Sequence, residues 1–422
     1  MNQALSEDQF AAFIGIDWAD VKHDVCLLAV GSDEIEFSTL EHTPEAIAAW
    51  ASSLHQRFGG KPVAICLELD KGPLVYALRE YDFLVMFPVN PLMLARFREA
   101  FATSGAKDDP SDARLQLELL LKHRDRLRPL NPSSPAIQAL ELLVKHRRRL
   151  ISDKVRLISR LISVLKDYYP QVLTWFKDRD TMLFCDFLTR WPTLAEVQRS
   201  RPTTFERFFY TRRVRSAALI QRRIQGIKDA RPLTTDESII GPNTLMTRML
   251  VAQLREILTA IAQFDTQIAS CAQQHPDFEL FNALPGAGPA LAPRLMVAFG
   301  DQRDRYACAA DLQKYAGIAP VTERSGKQCS VHWRWRCPKF LRQTFIEWSR
   351  KSIYHSFWAQ AFYQQKRAQG QSHQAAIRAL AFKWIRILFR CWQDRRPYDE
   401  SVYLSALQKR GSPLLKNLTC QI

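Results

Sequence analysis

The stretch FAAFIGIDWADVKHDVCLLAVGSDEIEFSTL, residues 10–40, decides the fold of the first domain. Residues 10–17 form an apolar run that ends in Asp17, which predicts a buried strand. Residues 21–30 follow after a short polar turn, and residues 34–40 alternate between apolar and polar side chains. Three short, closely spaced strands predict a meander at the start of the chain.

Helical and strand patterns alternate over the residues that follow. Thr43 and Pro44 combine an N-cap residue with a proline at the first helical position, which predicts a helix that ends at Gly59. The other predicted elements are a strand at 62–69, a short helix from Pro73, a strand at 83–89, a helix from Pro91 and a helix from about Asp109. This order of elements resembles the α/β ribonuclease H-like fold, in the branch shared with RuvC-type resolvases.

Four acidic residues occupy the points at which folds of this kind carry carboxylates. Asp17 ends the first strand and Glu68 ends the fourth. Asp109 and Asp112 are three residues apart on a late helix, so their side chains share one helical face. Such hard oxygen ligands suit two Mg²⁺ ions that flank a scissile phosphate. The set therefore predicts a magnesium site.

Each acid also suits a purely structural role. Asp17 and Glu68 are at the ends of strands, where turn residues are common, and Asp109 is suited to cap a helix before Pro110. Their joint order along the chain favours the metal site. Four nearby acids compete for the same roles and are ranked lower: Asp20, Asp24, Asp70 and Asp108.

The composition indicates a globular protein that binds a polyanion. The chain has 422 residues, of which 47% are hydrophobic, and a net charge of +16. Such a charge favours nucleic acid as partner. The longest apolar runs are too short to span a bilayer, and the first residues lack the pattern of a signal peptide. We therefore expect a cytoplasmic protein without a membrane partner.

The middle of the chain is predicted to be helical. Residues 136–170 repeat apolar side chains at Ile151, Val155, Ile158, Ile162, Leu165 and Tyr169, and residues 244–272 do the same from Leu250 to Ile268. These heptads predict a coiled coil, either within one chain or between subunits. The arginine-rich segment 176–243 between them is predicted to be a small helical insertion. Its charge favours contact with nucleic acid, and a charged face that is only solvated is the alternative.

The last third of the chain contains the second candidate site. Residues 281–301 place a Pro-Gly-x-Gly turn between two apolar segments, which resembles a helix-hairpin-helix motif. Residues 315–351 carry Ser325 on a Ser-Gly turn among arginine, lysine and tryptophan. An exposed hydroxyl with cations and flat rings around it suits chemistry on a nucleic-acid phosphate. A serine that only completes its turn remains the alternative.

Five segments together resemble the DEDD-type insertion-sequence transposases, a family of bridge-RNA-guided serine recombinases. The segments are GIDWADVKHD (15–24), ICLELDKG (65–72), KDDPSDA (107–113), LPGAGPALA (284–292) and AGIAPVTERSGK (316–327). They cover both ends of the chain, whereas the middle matches only in being helical. The departures are Leu69-Asp70-Lys71 after Glu68, Pro110 after Asp109, Arg324 before the serine, and Cys337-Pro338-Lys339 where a Gly-Asn turn is common.

The resemblance implies a mechanism and a set of partners. Asp17, Glu68, Asp109 and Asp112 would bind Mg²⁺, and Ser325 would attack a DNA phosphate to form a phosphoserine link. Donor and target DNA would be paired with a structured bridge RNA from the element, within a homo-oligomer (dimer or tetramer) whose subunits share each site. The implied division is a RuvC-like domain at 1–130, a helical coiled-coil region at 131–275, an α-helical transposase domain at 276–395 and a tail at 396–422.

Two other functions remain open from the residues alone. A RuvC-like nuclease or resolvase would use water as nucleophile and leave Ser325 structural. A non-catalytic nucleic-acid scaffold would need only the positive charge. The acidic set counts against the scaffold, because carboxylates on a nucleic-acid surface repel phosphate unless metal lies between them.

Overall fold

The computed structural model describes residues 9–101, 109–326, 328–412 and 414. The chain divides into two compact units, residues 1–132 and residues 133–422. The first unit is a mixed α/β domain, and the second is almost entirely helical. A ribonuclease H-like first domain and a helical remainder are both compatible with this architecture.

The first unit is built on a five-stranded sheet. Its strands are β1 (Ala12–Asp17), β2 (Lys22–Ala29), β3 (Ile35–Glu41), β4 (Val63–Leu67) and β5 (Leu84–Pro88). The spatial order is β3-β2-β1-β4-β5, in which β1, β2 and β3 pair antiparallel and β4 pairs parallel with both β1 and β5. The predicted meander is thus confirmed, and β1 lies at the centre of the sheet.

Helices cover both faces of this sheet. They are α1 (Pro44–Phe58), α2 (Pro73–Leu78), α3 (Pro91–Phe101) and α4 (Asp109–His123). One face packs Ile14 and Ile16 against α1 and α2. The other face packs Phe13 and Cys66 against Ala113 and Leu117 of α4. Because side chains alternate along a strand, Asp17 lies on the same face as Phe13 and therefore on the α4 side.

The limits of α1 follow from its local sequence. The Thr43 side chain accepts a hydrogen bond from the Ala46 N–H, and Pro44 occupies the first helical position. The helix ends where Gly59 adopts a left-handed backbone with φ of 61°, which glycine adopts without steric cost. The predicted helix from Thr43–Pro44 to Gly59 is confirmed.

Two long helices run through the second unit, α5 (Pro135–Tyr168) and, after five short helices, α11 (Glu237–Gln273). Leu140 of α5 shares a core with Ile268, and Leu161 shares another with Leu254, so the two helices pack antiparallel within one chain. Of the two arrangements that the heptads allow, the helix pair within one chain is therefore present. The set of α5 residues predicted to face the partner helix was partly wrong. Val155 is 55% exposed, and Leu157 and Leu161 lie in the core shared with α11 instead.

The second long helix begins seven residues before the predicted start at 244. Asp236 caps it by accepting a hydrogen bond from the Ser238 N–H at 2.8 Å, and Pro242 lies inside the helix near its start. A proline this near the start of a helix removes one backbone hydrogen bond without ending the helix. The Asp236 cap therefore sets where the helix begins.

A helical subdomain fills the segment between the two long helices. It consists of α6 (Val172–Trp175), α7 (Met182–Arg190), α8 (Leu194–Gln198), α9 (Pro202–Thr211) and α10 (Ala217–Asp229). Its core is largely aromatic, with Phe176, Phe187, Trp191, Phe208 and Phe209 in mutual contact. The predicted insertion is thus folded, and it ends at about residue 236 rather than 243.

The rest of the second unit surrounds a cluster of buried tryptophans. Trp348, Trp358, Trp384 and Trp392 belong to one hydrophobic core. The elements are α12 (Phe278–Asn282), α13 (Gly288–Phe299), α14 (Ala309–Tyr315), β6 (Val321–Ser325), β7 (Gln328–His332), α15 (Lys339–Ser352), α16 (Phe357–Ala368), α17 (His373–Gln393) and α18 (Glu400–Lys409). Within the described residues, no helix has the length and apolar character needed to cross a bilayer.

Candidate active site

Three acidic positions lie side by side at one end of the sheet. Ile16 of β1 pairs with Leu67 of β4, so the next residues along each chain, Asp17 and Glu68, are neighbours. On the other side, Asp17 pairs directly with Asp24 of β2. Adjacent strands are about 4.8 Å apart, and paired residues point to the same face. Asp17, Glu68 and Asp24 are all partly buried.

Helix α4 crosses this face and brings a fourth acid to it. A methyl group added to Gly15 would overlap the Ala113 carbonyl oxygen and lie 2.6 Å from the Leu117 nitrogen. Only glycine therefore allows α4 to lie so close to β1. Since the C-terminal half of α4 packs near Phe13, its first turn, with Asp112, lies toward the Asp17 end of the strand.

The Asp112 carboxylate is buried and held by an arginine. It is 4% exposed, and Arg98 of α3 donates from Nη2 to its Oδ1. A buried carboxylate needs a compensating cation, and Arg98 supplies it here. In the described part of the chain, no three His, Cys, Asp or Glu side chains converge as a metal-binding group. The Arg98 contact is one physical reason, since it engages one of the predicted ligands.

Two of the acids named from the sequence, Asp109 and the lower-ranked Asp108, lie partly or wholly outside the described residues. Asp109 is the first residue of α4, one helical turn before Asp112, but its side chain lies outside the described residues, as does all of Asp108. Asp20 and Asp70 are exposed. Asp24 was ranked below Asp17 and Glu68 from the sequence, yet it is the direct cross-strand partner of Asp17. Asp24 therefore belongs with Asp17 and Glu68 among the acids at this end of the sheet.

The carboxylates at this end of the sheet are the kind of oxygen donor that a hard divalent cation prefers, but within the described residues they do not converge as a metal-binding group. Asp17 and Glu68 come from neighbouring strands, and Asp112 comes from the helix that covers the same face. Mg²⁺ takes oxygen ligands and keeps several waters, so three or four carboxylates are enough.

Ser325 is the last residue of β6, in an exposed hairpin. It pairs with Gln328 across the turn, and Gly326 supplies a left-handed backbone with φ of 55°. Ser325 is exposed, as are most residues of β6 and β7. The predicted Ser-Gly turn is present, and the hydroxyl is on the protein surface.

One face of this hairpin is polar and charged. Strand alternation places Glu323, Ser325, Ser330 and His332 on the same face, because 323 pairs with 330 and 325 with 328. His332 Nε2 lies 3.4 Å from Glu323 Oε1. The face around Ser325 therefore carries groups that accept or donate protons.

The base of the hairpin is fixed by arginine and cysteine contacts. Trp333, directly after β7, has the guanidinium groups of Arg342 and Arg378 over its ring. Cys337 packs against Gly317, whose φ of 68° and lack of a side chain make room for the sulfur. The Cys337-Pro338 segment, which departs from the family pattern, thus packs the loop before β6 against the residues that lead into α15.

The Pro-Gly-x-Gly segment is a short helix–turn–helix whose two glycines differ. Gly286 has φ of 73°, and a methyl group there would lie 3.0 Å from the Lys351 carbonyl carbon. Its role is close packing on α15, where Trp348 also donates to the Pro285 carbonyl at 3.1 Å. Gly288 faces open space. A phosphate role for this turn remains a prediction.

Comparison with known proteins matches both ends of the chain to one family. A model described as a DEDD-type IS110 transposase matches residues 14–170, and a model of the IS116/IS110/IS902 transposase family matches residues 278–364. The chain belongs to the IS110 family of transposases. The first match contains the acidic face of the sheet, and the second contains Ser325 and its hairpin.

Individual relatives of this IS110-family transposase cover most of its length. It is 29% identical to the assigned transposase of the IS117 mini-circle from Streptomyces coelicolor, over 97% of this chain and 99% of the relative. It is 28% identical to the 44.8 kDa protein of IS116 from Streptomyces clavuligerus, over 69% and 72%. It is 23% identical to the 43.6 kDa protein of IS110 from Streptomyces coelicolor, over 93% and 96%.

The family matches leave out the middle of the IS110-family chain. Residues 171–277 lie between the two matched segments and contain the helical subdomain and α11. The alignment with the IS117 protein spans almost the full length of both chains, so this segment is not peculiar to the present sequence. Its function needs a separate argument.

Proposed function

We propose that this insertion-sequence transposase cuts and rejoins DNA through a covalent link to Ser325, at a site that also uses Asp17, Glu68, Asp109 and Asp112. A structured RNA from the element would select donor and target DNA. The observation that carries the proposal is the pairing of Ile16 with Leu67, because it makes Asp17 and Glu68 neighbours on the face covered by α4.

The acids would hold the metal ions. Asp17 and Glu68 contribute oxygens from the sheet, and Asp112 contributes them from α4, with Asp109 one turn earlier on the same helix. Bound Mg²⁺ would neutralise charge on the scissile phosphate and polarise it for attack. Arg98 pairs with Asp112 and compensates its buried charge.

Ser325 would provide the nucleophile. Its Oγ forms a bond to phosphorus while one bridging phosphorus–oxygen bond breaks, and the hydroxyl proton leaves to a base or water. The free hydroxyl of an exchanged DNA end later attacks the phosphorus, the bond from phosphorus to Ser325 Oγ breaks, and the serine oxygen takes back a proton. The bond energy is conserved in this link, so rejoining needs no ATP. Exposure of Ser325 on a hairpin is consistent with attack on a large substrate.

The partners follow from charge and from the family resemblance. A net charge of +16 suits binding of long polyanions, which DNA and RNA both are. The guide RNA and the oligomer, a dimer or tetramer, rest on the resemblance alone. A nuclease that uses water is the main alternative, and it needs the same acids without the serine.

A trapping experiment separates the two mechanisms. The protein is incubated with element-end DNA, its guide RNA and Mg²⁺, then denatured and analysed for DNA that migrates with protein. We expect a covalent adduct for the wild type and none for Ser325→Ala or Asp17→Asn. Ser330→Ala, on the same hairpin face, is the matched control and should retain the adduct. DNA cleavage by Ser325→Ala at the normal rate would exclude the serine mechanism.

A further inference from the structure

One arginine-rich stretch of the helical subdomain between the two long helices carries a charge equal to half of the net charge of the chain. Residues 199–231 contain ten arginines and lysines and only two acids, Glu206 and Asp229, a net charge of +8 against +16 for all 422 residues. Most of these arginines are exposed, including Arg207, Arg213 and Arg222. Neither family match covers this segment, so its charge is not explained by the acids or by Ser325.

The exposed arginines are largely without carboxylate partners. Arg212 pairs with Asp186 at 2.6 Å, but Arg213, Arg215 and Arg222 form no ion pair with any residue that the structure describes. Arg213 also has a left-handed backbone with φ of 62°, in the loop that leads into α10. Unpaired cations at this density repel each other, and an extended anion would relieve that repulsion.

A buried arginine gives a second, independent observation. Arg223 of α10 is only 9% exposed, and no carboxylate in the described residues pairs with it. Its Nε donates to the Trp175 carbonyl at 2.9 Å, and its guanidinium lies over the rings of Phe176 and Phe209, while Nη1 has no hydrogen-bond partner. Burial and then the nearby charge of Arg222 lower the pKa of Arg223. A buried, uncompensated cation is costly.

Arg222 and Arg223 both line a cleft at the surface of the subdomain. The cleft has a volume of about 380 Å³ and is also lined by Gln171, Trp175 and Gly226. Gly226 keeps the cleft wall close, because a methyl group there would lie 3.0 Å from Trp175 Nε1. Asp229 lies at the same cleft, where Gln225 donates to both of its oxygens at 2.9 Å. With two arginines and one aspartate, the lining of the cleft carries a net positive charge.

We propose that this subdomain binds the phosphodiester backbone of nucleic acid without regard to sequence, with one phosphate seated in the cleft beside Arg222 and Arg223. Planar guanidinium groups match the geometry of phosphate oxygens. The extended strip of unpaired arginines suits a repeating polyanion better than a single small phosphate. The inference concerns binding alone and does not depend on the role of Ser325.

The test measures binding of the full chain to two labelled probes. One is an arbitrary DNA duplex of about 30 base pairs, and the other is an RNA stem–loop of similar length, each titrated from about 0.1 to 0.4 M NaCl. For Arg213→Gln/Arg215→Gln/Arg222→Gln we expect affinity to fall by about tenfold or more at the lowest salt. The slope of log K against log salt should become shallower by about 3, one for each lost contact.

A charge-matched triple variant serves as control. Arg57→Gln/Arg126→Gln/Arg390→Gln removes the same charge from exposed arginines that lie next to carboxylates. Its slope should change by less than about 1. A loss confined to the DNA or to the RNA probe supports the proposal and identifies the polymer. An unchanged slope in the first triple variant, or an equal loss in the control, overturns it.

Arg223→Met tests the cleft itself. Methionine retains much of the apolar stem and removes the buried charge, so the free protein should melt at the same temperature or higher. The rise in melting temperature on adding the duplex should be smaller than in the wild type. A variant that melts lower but is stabilised by the duplex as much as the wild type would show that Arg223 is structural. Ser325→Ala should bind both probes normally, which separates this proposal from the covalent mechanism.

Discussion

The acidic face and the serine hairpin are built in opposite ways. Asp17 and Glu68 extend from central strands of a covered sheet, and Asp112 is 4% exposed under a helix that only Gly15 admits. Ser325 lies in a two-stranded hairpin that is exposed along most of its length. Metal ligands need a rigid frame, because coordination tolerates small errors only. A nucleophile that must reach a bulky phosphate gains from exposure instead.

The largest effect is expected from mixing two inactive variants. If the acids of one subunit act with the serine of another, Asp17→Asn and Ser325→Ala chains each lack one half of the site. A mixed oligomer then contains one complete site, so strand exchange should recover by about a hundredfold or more over either variant alone. The measurement is recombination in vitro with both purified proteins mixed before DNA is added.

The same mixture distinguishes sharing of the site from an arrangement within one chain. If each chain assembled its own site, every chain in the mixture would be defective, and no activity would return. Mixing Asp17→Asn with Glu68→Gln is the control, because both defects are in the same unit. That mixture should stay inactive in either arrangement.

Gly15→Ala should destabilise the sheet and helix that carry the acids. The added methyl group would overlap the Ala113 carbonyl, so α4 must move away from β1. Overpacking of this kind costs about 3 kcal/mol. Urea denaturation would measure the loss of stability. Hydrogen exchange of the β1 and β4 amides in the folded protein would show that the loss lies in the sheet. Gly241→Ala is the control, since nothing lies within 4 Å of its added methyl group, and it should change stability by less than about 1 kcal/mol.

The sequence predicted the elements of the first unit because their signals are local. Thr43, Pro44 and Gly59 set the limits of α1 through their own backbone preferences. The neighbouring positions of Asp17 and Glu68 followed from the order of elements, since parallel central strands end at the same edge. Arg98 was not found, because its pairing with Asp112 depends on how α3 and α4 pack and leaves no periodic signal.

Helix α5 shows where sequence patterns are insufficient. It carries two apolar stripes, one with Val155 and Ile162 and the other with Leu157 and Leu161. Both have helical spacing, and only the position of α11 decides which is buried. Likewise, the Pro-Gly-x-Gly pattern did not reveal that Gly286 packs closely on Lys351, and its predicted phosphate contact stays a prediction. Sequence patterns therefore predicted the helices and strands, whereas tertiary packing decided which face of each is buried.

A pH effect on stability is expected in the sheet unit. His23 is fully buried, its Nδ1 accepts from the Ala19 N–H at 3.2 Å, and its Nε2 lies 2.9 Å from His42 Nδ1. Burial, and then the nearby His42, lower the pKa of His23 to about 4. The unfolded chain takes up a proton below about pH 6.5, whereas the folded protein does not until about pH 4.

The stability contributed by neutral His23 is therefore present above pH 6.5 and is lost as the pH falls toward 4. Between pH 7 and pH 5 the loss should be about 2 kcal/mol. Denaturant unfolding at several pH values would measure it. His23→Gln should flatten the dependence over this range. An equally steep dependence in that variant would mean that other groups cause it.

The smallest effect is expected at the base of the hairpin, where a matched pair of tryptophans is available. Trp333 is half-buried between Arg342 and Arg378, whereas Trp335 is 74% exposed. Trp333→Leu should cost about 1 kcal/mol of cation–π stabilisation. Exchange of the β7 amides should then be about five- to tenfold faster, with little change in global stability. Trp335→Leu should leave that exchange unchanged. If Trp333→Leu destabilised the whole second unit instead, the hairpin would belong to its core, and the contrast with the acidic face would not hold.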